Sequence, residues 1–157
     1  MAGAGFARGG LAAIALAGLA GAVLAEEASP TPQAERDKFR WPLRGAIVAP
    51  FKAGVNDGID IATPLGVAVH AAADGVCIAA GEEIRSYGKM VVLRHDDGYV
   101  TVYADNSELL VKPGDTVRRG EIIAKSGQSG DAPAPRLHFE LRKDGQPVDP
   151  TRFLAPL

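Results

Sequence analysis

Cysteine is almost absent from this sequence of 157 residues, since Cys77 is the only one. A single cysteine excludes an intrachain disulfide, and its position far from the N-terminal apolar segment leaves no lipid-attachment cysteine directly behind that segment. Because Cys77 lies in the apolar run Val76-Cys77-Ile78, we expect a buried and unreactive thiol.

An excess of basic charge is also missing, because 17 lysine and arginine residues stand against 19 aspartate and glutamate residues. The formal net charge of −2 provides no long-range attraction for nucleic acid or anionic lipid. We therefore expect no nucleic-acid partner.

A long helical repeat of apolar residues is the third feature that the sequence lacks. In its place, 19 glycines and 11 prolines indicate many turns and short elements. The composition therefore predicts an all-β domain.

The N-terminal residues 1–25 contain one charge, Arg8, followed by the apolar run Leu11–Leu24. Val23 and Ala25 have the small-residue spacing of a signal-peptidase site, so we predict a signal peptide over residues 1–25 and export to the periplasm. The apolar run is short for a membrane span, which needs about 20 residues. An uncleaved segment that anchors the protein in the inner membrane is the alternative.

Residues 26–40 are rich in glutamate, alanine, proline and charge, and Phe39 is their only aromatic residue. Such a segment buries too little apolar surface to order itself, which predicts a disordered tether. The folded domain is then expected to cover residues 41–157, a length that allows one core.

Short apolar segments alternate with turn signals from Trp41 onward, at a spacing of roughly ten residues. Asp-Gly pairs at residues 74–75, 97–98 and 144–145 supply the positive φ values of tight hairpins. We expect a mainly antiparallel β-sheet or β-sandwich, with long loops at residues 81–89 and 127–135 that wall a binding groove. The predicted strands are Ala46–Ala49, Gly66–Ala71, Gly75–Ala80, Met90–His95, Tyr99–Ala104, Thr116–Val117, Glu121–Lys125 and Leu137–Arg142.

The stretch Arg136-Leu137-His138-Phe139-Glu140 alternates polar and apolar residues, so Leu137 and Phe139 share one strand face and the polar side chains share the other. The polar face, which Arg142 continues, fits a metal site, a catalytic groove or a salt-bridged surface. The stretch alone leaves these three alternatives open.

Four motifs occur in the order seen in one family: NDGIDIATP at residues 56–64, AAADG at 71–75, KPGDTVRRG at 112–120 and RLHFE at 136–140. From about Trp41 to Leu154 the chain resembles the LytM, or lysostaphin-type, peptidoglycan endopeptidases. The resemblance implies that fold. It also implies that the three positions that hold zinc in active members are Asn56, Asp60 and His138 here.

At three of the positions that are functional in active family members, this sequence has a different residue. Asn56 offers a neutral amide where active members have a histidine, and the two other catalytic histidines correspond to Asp105 and Arg136. Arg136 cannot act as a general base, and its charge about 6 Å from Zn²⁺ would cost on the order of 5 kcal/mol at an effective dielectric of about 20. We therefore expect no metal, no cofactor and no hydrolysis, and we expect Asp60 and Arg136 to form a charge-assisted pair.

The groove is expected to bind a partner through six residues. They are Asp60, Arg85, Tyr87, Asp105, Arg136 and His138.

Three other polar side chains allow both structural and functional interpretations. Alternation places His70 on an exposed strand face, where we expect it to be solvated, and His95 is expected to bond turn backbone. Glu140 is expected either to orient His138 or to pair with Arg142 in solvent.

The departures at Asn56 and Arg136 match the NlpD- and EnvC-like LytM domains, which lack activity and stimulate peptidoglycan amidases during cell separation. This resemblance implies a non-enzymatic activator whose partner is a peptidoglycan amidase, with peptidoglycan as a second candidate ligand. One alternative is a zinc-dependent endopeptidase with atypical ligands. Another is a protein that binds peptidoglycan, or acts as a carrier module, without an enzyme partner.

Overall fold

The computed structural model describes residues 36–157. The predicted signal peptide and residues 26–35 of the predicted tether lie outside these described residues. Within residues 36–157, no helix has the length and apolar character needed to cross a membrane.

Eleven β-strands and three single-turn 3₁₀ helices make up the ordered elements of these residues. The strands are β1 (Ile47–Ala49), β2 (Ile59–Ala62), β3 (Ala68–His70), β4 (Gly75–Gly81), β5 (Lys89–Arg94), β6 (Tyr99–Asn106), β7 (Glu108–Leu109), β8 (Thr116–Val117), β9 (Ile122–Lys125), β10 (Arg136–Lys143) and β11 (Gln146–Val148). The 3₁₀ helices are Arg85–Tyr87, Asp96–Gly98 and Pro150–Arg152.

The strands form one sheet of eight strands and one of three. The large sheet has the order β1-β2-β10-β6-β5-β4-β8, with β11 added beside β10, and the small sheet has the order β3-β9-β7. Every strand pair in both sheets is antiparallel. The predicted all-β, mainly antiparallel architecture is confirmed.

Strand β10 is central because its two faces have different chemistry. Leu137, Phe139 and Leu141 are at most 1% exposed and belong to the main apolar core, together with Ile59 and Ile61 of β2. Burying such side chains contributes about 1.5–3 kcal/mol each, which holds β2, β10 and β6 side by side. The opposite, polar face of β10 is thereby fixed in position.

Three strands, β2, β7 and β11, were not predicted from the sequence, and β3 is shorter than expected. Strand β2 coincides with the NDGIDIATP motif, whose alternation of buried Ile59 and Ile61 is the ordinary pattern of a strand. Strands β7 and β11 have only two and three residues, too few to establish a period.

The ordered domain begins before the predicted boundary at Trp41. Phe39 is 1% exposed, and its ring packs edge-on against Tyr99 at 5.3 Å between centroids. Its backbone pairs with the C-terminal segment, since Phe39 N–H donates to the Phe153 carbonyl at 3.2 Å and Ala155 N–H donates to the Phe39 carbonyl at 2.7 Å. The assignment of Phe39 to a disordered tether is therefore wrong, because its ring closes the core between the two ends of the domain.

The two long loops meet through glycine residues. Gly88 and Gly130 have φ values of +62° and +71°, and a Cβ on Gly88 would lie 2.4 Å from the Gly130 nitrogen. Only glycine permits this approach without strain. The contact places the Arg85–Tyr87 turn and residues 127–135 beside the polar face of β10.

Candidate functional site

The register of three neighbouring strands brings the predicted site residues together. His138 on β10 lies opposite Asp60 on β2 and Ala104 on β6. Asp105 directly follows Ala104 in β6, so it lies beside this pair. A cavity of about 580 Å³ opens at this place. Its lining residues include Asn56, Asp60, Tyr87, Asp105, Arg136 and His138.

Arg85 is the member of the predicted groove set that does not line this cavity, although its neighbours Ser86 and Tyr87 do. The Arg85 side chain is exposed in the 3₁₀ turn. The structure therefore places its charge outside the pocket, at the end of the wall formed by this loop.

Asp60 joins the two basic residues of the cavity wall. Its Oδ2 accepts a hydrogen bond from Arg136 Nη1 at 3.0 Å, and its Oδ1 lies 2.6 Å from His138 Nδ1. The Asp60–Arg136 salt bridge confirms the predicted charge-assisted pair. Burial of Asp60 would raise its pKa, but hydrogen bonds and charge from His138 and Arg136 outweigh burial and lower it.

Glu140 contacts both His138 and Arg142, and both contacts lie inside the protein. Its Oε2 lies 2.9 Å from His138 Nε2, and its Oε1 accepts from Arg142 Nε at 2.9 Å. Glu140 is 0% exposed and Arg142 is 4% exposed, so the expectation of a pair in solvent is wrong. Tyr87 donates its hydroxyl hydrogen to Glu140 Oε2 at 2.5 Å.

Two opposed carboxylates determine the protonation state of His138. Burial alone would lower the pKa of His138, but its hydrogen bonds to Asp60 and Glu140 and their negative charge raise it to about 10. The same contacts, with the charge of Arg142, overcome the burial of Glu140 and lower its pKa to about 2. At neutral pH these contacts favour the imidazolium form, in which both N–H groups donate, so a metal ion would have to displace a proton and a carboxylate bond to reach the ring.

Asn56 is also held by the protein itself. Its Nδ2 donates to the Pro50 carbonyl at 3.0 Å, and its Oδ1 accepts from the Gly58 N–H at 3.4 Å. The side chain therefore stabilises the loop that leads into β2.

The residues present do not fit the zinc ion that the resemblance implies. A catalytic zinc site needs three protein ligands with free lone pairs and an open position. Asn56 bonds backbone, Asp60 bonds Arg136, and both His138 ring nitrogens are bonded to carboxylates. No group of three histidine, cysteine, aspartate or glutamate side chains suited to a metal occurs among residues 36–157.

Asp105 differs from every other acid in the cavity wall. It has a left-handed backbone with φ of +68°, which aspartate tolerates better than most residues, and it is 6% exposed. Burial raises the pKa of Asp105 to about 7 and outweighs the charge of His138, which lowers it, while the charge of Asp60 adds a smaller rise. Its carboxyl group has no hydrogen-bond partner within the described part of the chain.

The two remaining histidines have structural contacts. His95 was expected to bond the backbone of the Asp96-Asp97-Gly98 turn that follows it, but its Nδ1 lies 2.6 Å from the Asp74 carbonyl in the turn before β4, and its Nε2 lies 2.7 Å from Thr101 Oγ1, so its role is structural with a different turn as partner. His70 is half-buried, and its Nδ1 lies 2.8 Å from the Gly120 carbonyl. The expectation that His70 is solvated is wrong, because the turn before β9 brings the Gly120 carbonyl against its ring.

Cys77 is 1% exposed, as its apolar neighbours predicted. Burial raises the pKa of the Cys77 thiol, which keeps it protonated and unreactive at neutral pH.

Two acids of the site were not predicted from the sequence. Asp57 lies 3.4 Å from Arg142 Nη2, and Asp131 lines the cavity from the second long loop. Asp57 had a local signal, since it lies inside the NDGID motif next to Asn56. Asp131 had none, because a single acid in a loop of small residues looks like any solvated charge.

Comparison with known proteins gives consistent matches over the same region. The family model for peptidase family M23 matches residues 54–150. The murein hydrolase activator NlpD of Escherichia coli is 42% identical over 118 residues, covering 74% of this chain and 31% of NlpD. The uncharacterized lipoprotein YgeR of the same organism is 39% identical over 118 residues, covering 74% of this chain and 47% of YgeR. The chain thus spans less than half the length of these relatives.

A solved structure supports the same relationship. A zinc-containing peptidase from Vibrio cholerae superimposes with a TM-score of 0.70 at 31% sequence identity, over 78% of this chain and 41% of that one. The fold, the ordered motifs and the matched region agree, and the resemblance to LytM domains is confirmed. The chain belongs to peptidase family M23.

Proposed function

We propose that this protein is an exported, catalytically inactive M23 domain that binds and activates a peptidoglycan amidase. The main observation behind this proposal is that both His138 ring nitrogens are paired with carboxylates, at 2.6 Å from Asp60 and 2.9 Å from Glu140. A ring held in this way is biased toward the imidazolium form, so zinc would have to displace a proton and compete with both carboxylates for it. The other positions that carry histidine in active members are Asn56, Asp105 and Arg136 here, so the third metal ligand and the histidine base are missing.

The cavity remains although its chemistry is gone, which supports a binding role. Its walls are fixed by β2, β6, β10 and two loops that meet at Gly88 and Gly130. A preformed concave site of this size suits a segment of a protein partner. NlpD is named a murein hydrolase activator, which supports a hydrolase as that partner.

The proposed partner segment is an inhibitory helix that covers the amidase active site until this groove binds it. Activation is then a shift of the amidase toward its open state, and it requires tighter binding to that state. A difference of about 2.7 kcal/mol raises the open fraction roughly a hundredfold while that state is still a minor species.

We propose the periplasm as the site of action, through the signal peptide predicted at residues 1–25. The name of YgeR, a lipoprotein, supports a location in the cell envelope for this group of relatives.

The test is the rate at which each peptidoglycan amidase of the source organism releases dye from labelled sacculi, with and without the purified protein. We expect one amidase to be accelerated in proportion to the protein added, up to saturation. If none is accelerated, the activator function is wrong.

A further inference from the structure

The charges of the cavity wall are unequal. Five carboxyl side chains and two basic ones line it. The acids are Asp57, Asp60, Asp105, Asp131 and Glu140, and the basic residues are Arg136 and His138.

Three of these acids are neutralised inside the protein. Asp60 bonds Arg136 and His138, Glu140 bonds His138 and Arg142, and Asp57 lies 3.4 Å from Arg142. Asp105 and Asp131 have no salt bridge to a basic side chain among residues 36–157. The charge that the cavity offers to a ligand is therefore negative.

Asp105 is the unusual member of this pair because it is buried. It is 6% exposed, it lines the cavity, and its carboxyl group accepts no hydrogen bond from the described residues. A buried carboxylate without a donor costs free energy, and a cationic donor from a ligand would remove that cost. Its raised pKa has the same origin, since burial opposes the charged form.

The second acid lies close enough to interact with it. Gly130, the residue before Asp131, approaches so closely that a Cβ there would lie 2.8 Å from Asp105 Oδ1. The charge of Asp131 contributes to the raised pKa of Asp105. The two carboxyl groups therefore form one acidic wall, which we name the Asp105–Asp131 wall.

We propose that the Asp105–Asp131 wall is the subsite for an arginine side chain of the protein partner, whose guanidinium group bonds the Asp105 carboxylate. This subsite deepens the proposed function and rests on it, because it states which chemistry the amidase segment must present. A planar guanidinium carries five donors and is less strongly hydrated than an ammonium group, so it suits a buried carboxylate best. Arg136 and His138 carry positive charge near Asp105, but salt bridges to Asp60 and Glu140 offset their repulsion of a cation.

The test uses a small cation and its neutral isostere. Acetyl-arginine amide and acetyl-citrulline amide have nearly the same shape, but only the first is charged. We propose titrating each into isotopically labelled protein and following the backbone amide resonances of Asp105, Gly130 and Asp131 by NMR.

Two variants with matched backbones serve as target and control. Asp105→Asn removes the charge at φ of +68°, and Asp144→Asn removes an equal charge at φ of +52° in the turn between β10 and β11, away from the cavity. Asparagine tolerates both conformations. If Asp105→Asn does not fold, the comparison of arginine with citrulline on the wild-type protein still decides the matter.

We expect the arginine probe to bind the wild-type protein and the Asp144→Asn variant at least about tenfold more tightly than the citrulline probe. The preference should be lost in Asp105→Asn. Equal binding of both probes to wild-type protein overturns the subsite, even if an amidase is activated. A response only to a soluble stem peptide with a free amine overturns it in favour of peptidoglycan.

Different results would contradict the activator function and the arginine subsite. An arginine preference without activation of any amidase would support the subsite and contradict the activator function. Activation that Asp105→Asn leaves unchanged would support the activator function and contradict the subsite.

Discussion

His138 on β10 and Asp60 on β2 are directly opposite each other, and their side chains meet with Nδ1 2.6 Å from Oδ1. In the resemblance to active family members, both residues occupy zinc positions. Here they belong to a network of three acids and three bases: Asp57, Asp60, Glu140, Arg136, His138 and Arg142. The positive charge that a metal would supply comes from Arg136 and from the protonated ring.

Charge reversal at Arg136 should weaken activation of the amidase. Arg136→Glu removes the bond that fixes Asp60 and sets a second carboxylate against it, so we expect the cavity wall to be displaced and, although the cavity becomes more negative, activation to fall about tenfold, equivalent to roughly 1.4 kcal/mol of binding. Dye release by the amidase measures the effect, with circular dichroism as the check that the domain is folded. Arg85→Glu is the matched control, because Arg85 lies outside the cavity and should leave activation nearly unchanged.

Removal of the charge on Glu140 should destabilise the fold. Glu140→Gln leaves His138 and Arg142 as buried cations without their shared carboxylate, which costs about 3–5 kcal/mol. Urea unfolding measures this loss. Glu108→Gln changes an acid whose side chain is 56% exposed, and it should cost less than about 1 kcal/mol. Similar losses in the two variants would contradict the structural role of Glu140.

The free energy of unfolding should depend on pH in two ranges. Because the folded state raises the pKa of His138 to about 10, its stabilising contribution is complete below about pH 6.5 and declines up to about pH 10. Because the folded state lowers the pKa of Glu140 to about 2, its contribution is complete above about pH 4.5 and is lost as the pH falls toward 2. These two groups alone would leave the free energy of unfolding constant between these ranges, and denaturation of an Asp105→Asn variant at a series of pH values should show that plateau.

Ionisation of Asp105 should lower the free energy of unfolding within the same pH interval. Its folded pKa of about 7 favours the neutral acid, so stability should fall as the pH rises from about 4 to 7. Asp105→Asn should remove this fall and stabilise the protein at pH 8 by on the order of 2 kcal/mol. An unchanged pH profile in this variant would show that burial of Asp105 does not control it.

Restoring two histidines should restore metal affinity. Asn56→His alone should bind zinc weakly, because Arg136 still holds Asp60 at 3.0 Å and repels the ion. In Asn56→His/Arg136→His that pair is gone, and we expect zinc to bind at least about a hundredfold more tightly, equivalent to roughly 2.8 kcal/mol. Calorimetric titration compares the two variants, and equal affinities would show that Arg136 is not what excludes the metal.

Period-two alternation and turn signals are local, so the sequence predicted the large elements without knowledge of distant contacts. The Asp60–Arg136 pair was predicted differently, from the resemblance of the ordered motifs to LytM domains. Strands β7 and β11 lack such signals because they are so short.

Burial of the polar network could not be predicted in this way. The pattern Arg136, His138, Glu140 and Arg142 reads equally as a solvated strand face, and only the covering loops make it an interior. The hydroxyl of Tyr87 reaches Glu140 across 53 positions of sequence, a contact that no local pattern indicates. Phe39 was misplaced for a similar reason, since its partners Tyr99 and Phe153 lie far along the chain.

The most direct test of the proposed loss of the metal centre is dye release from labelled sacculi by the purified protein alone, with zinc added and with a chelator added. We expect no release above the buffer control in either condition, because His138, Asn56 and Asp60 are all bonded to groups of the protein itself. Release by the protein alone that zinc increases and the chelator stops would contradict this expectation. It would identify the protein as a zinc endopeptidase with atypical ligands.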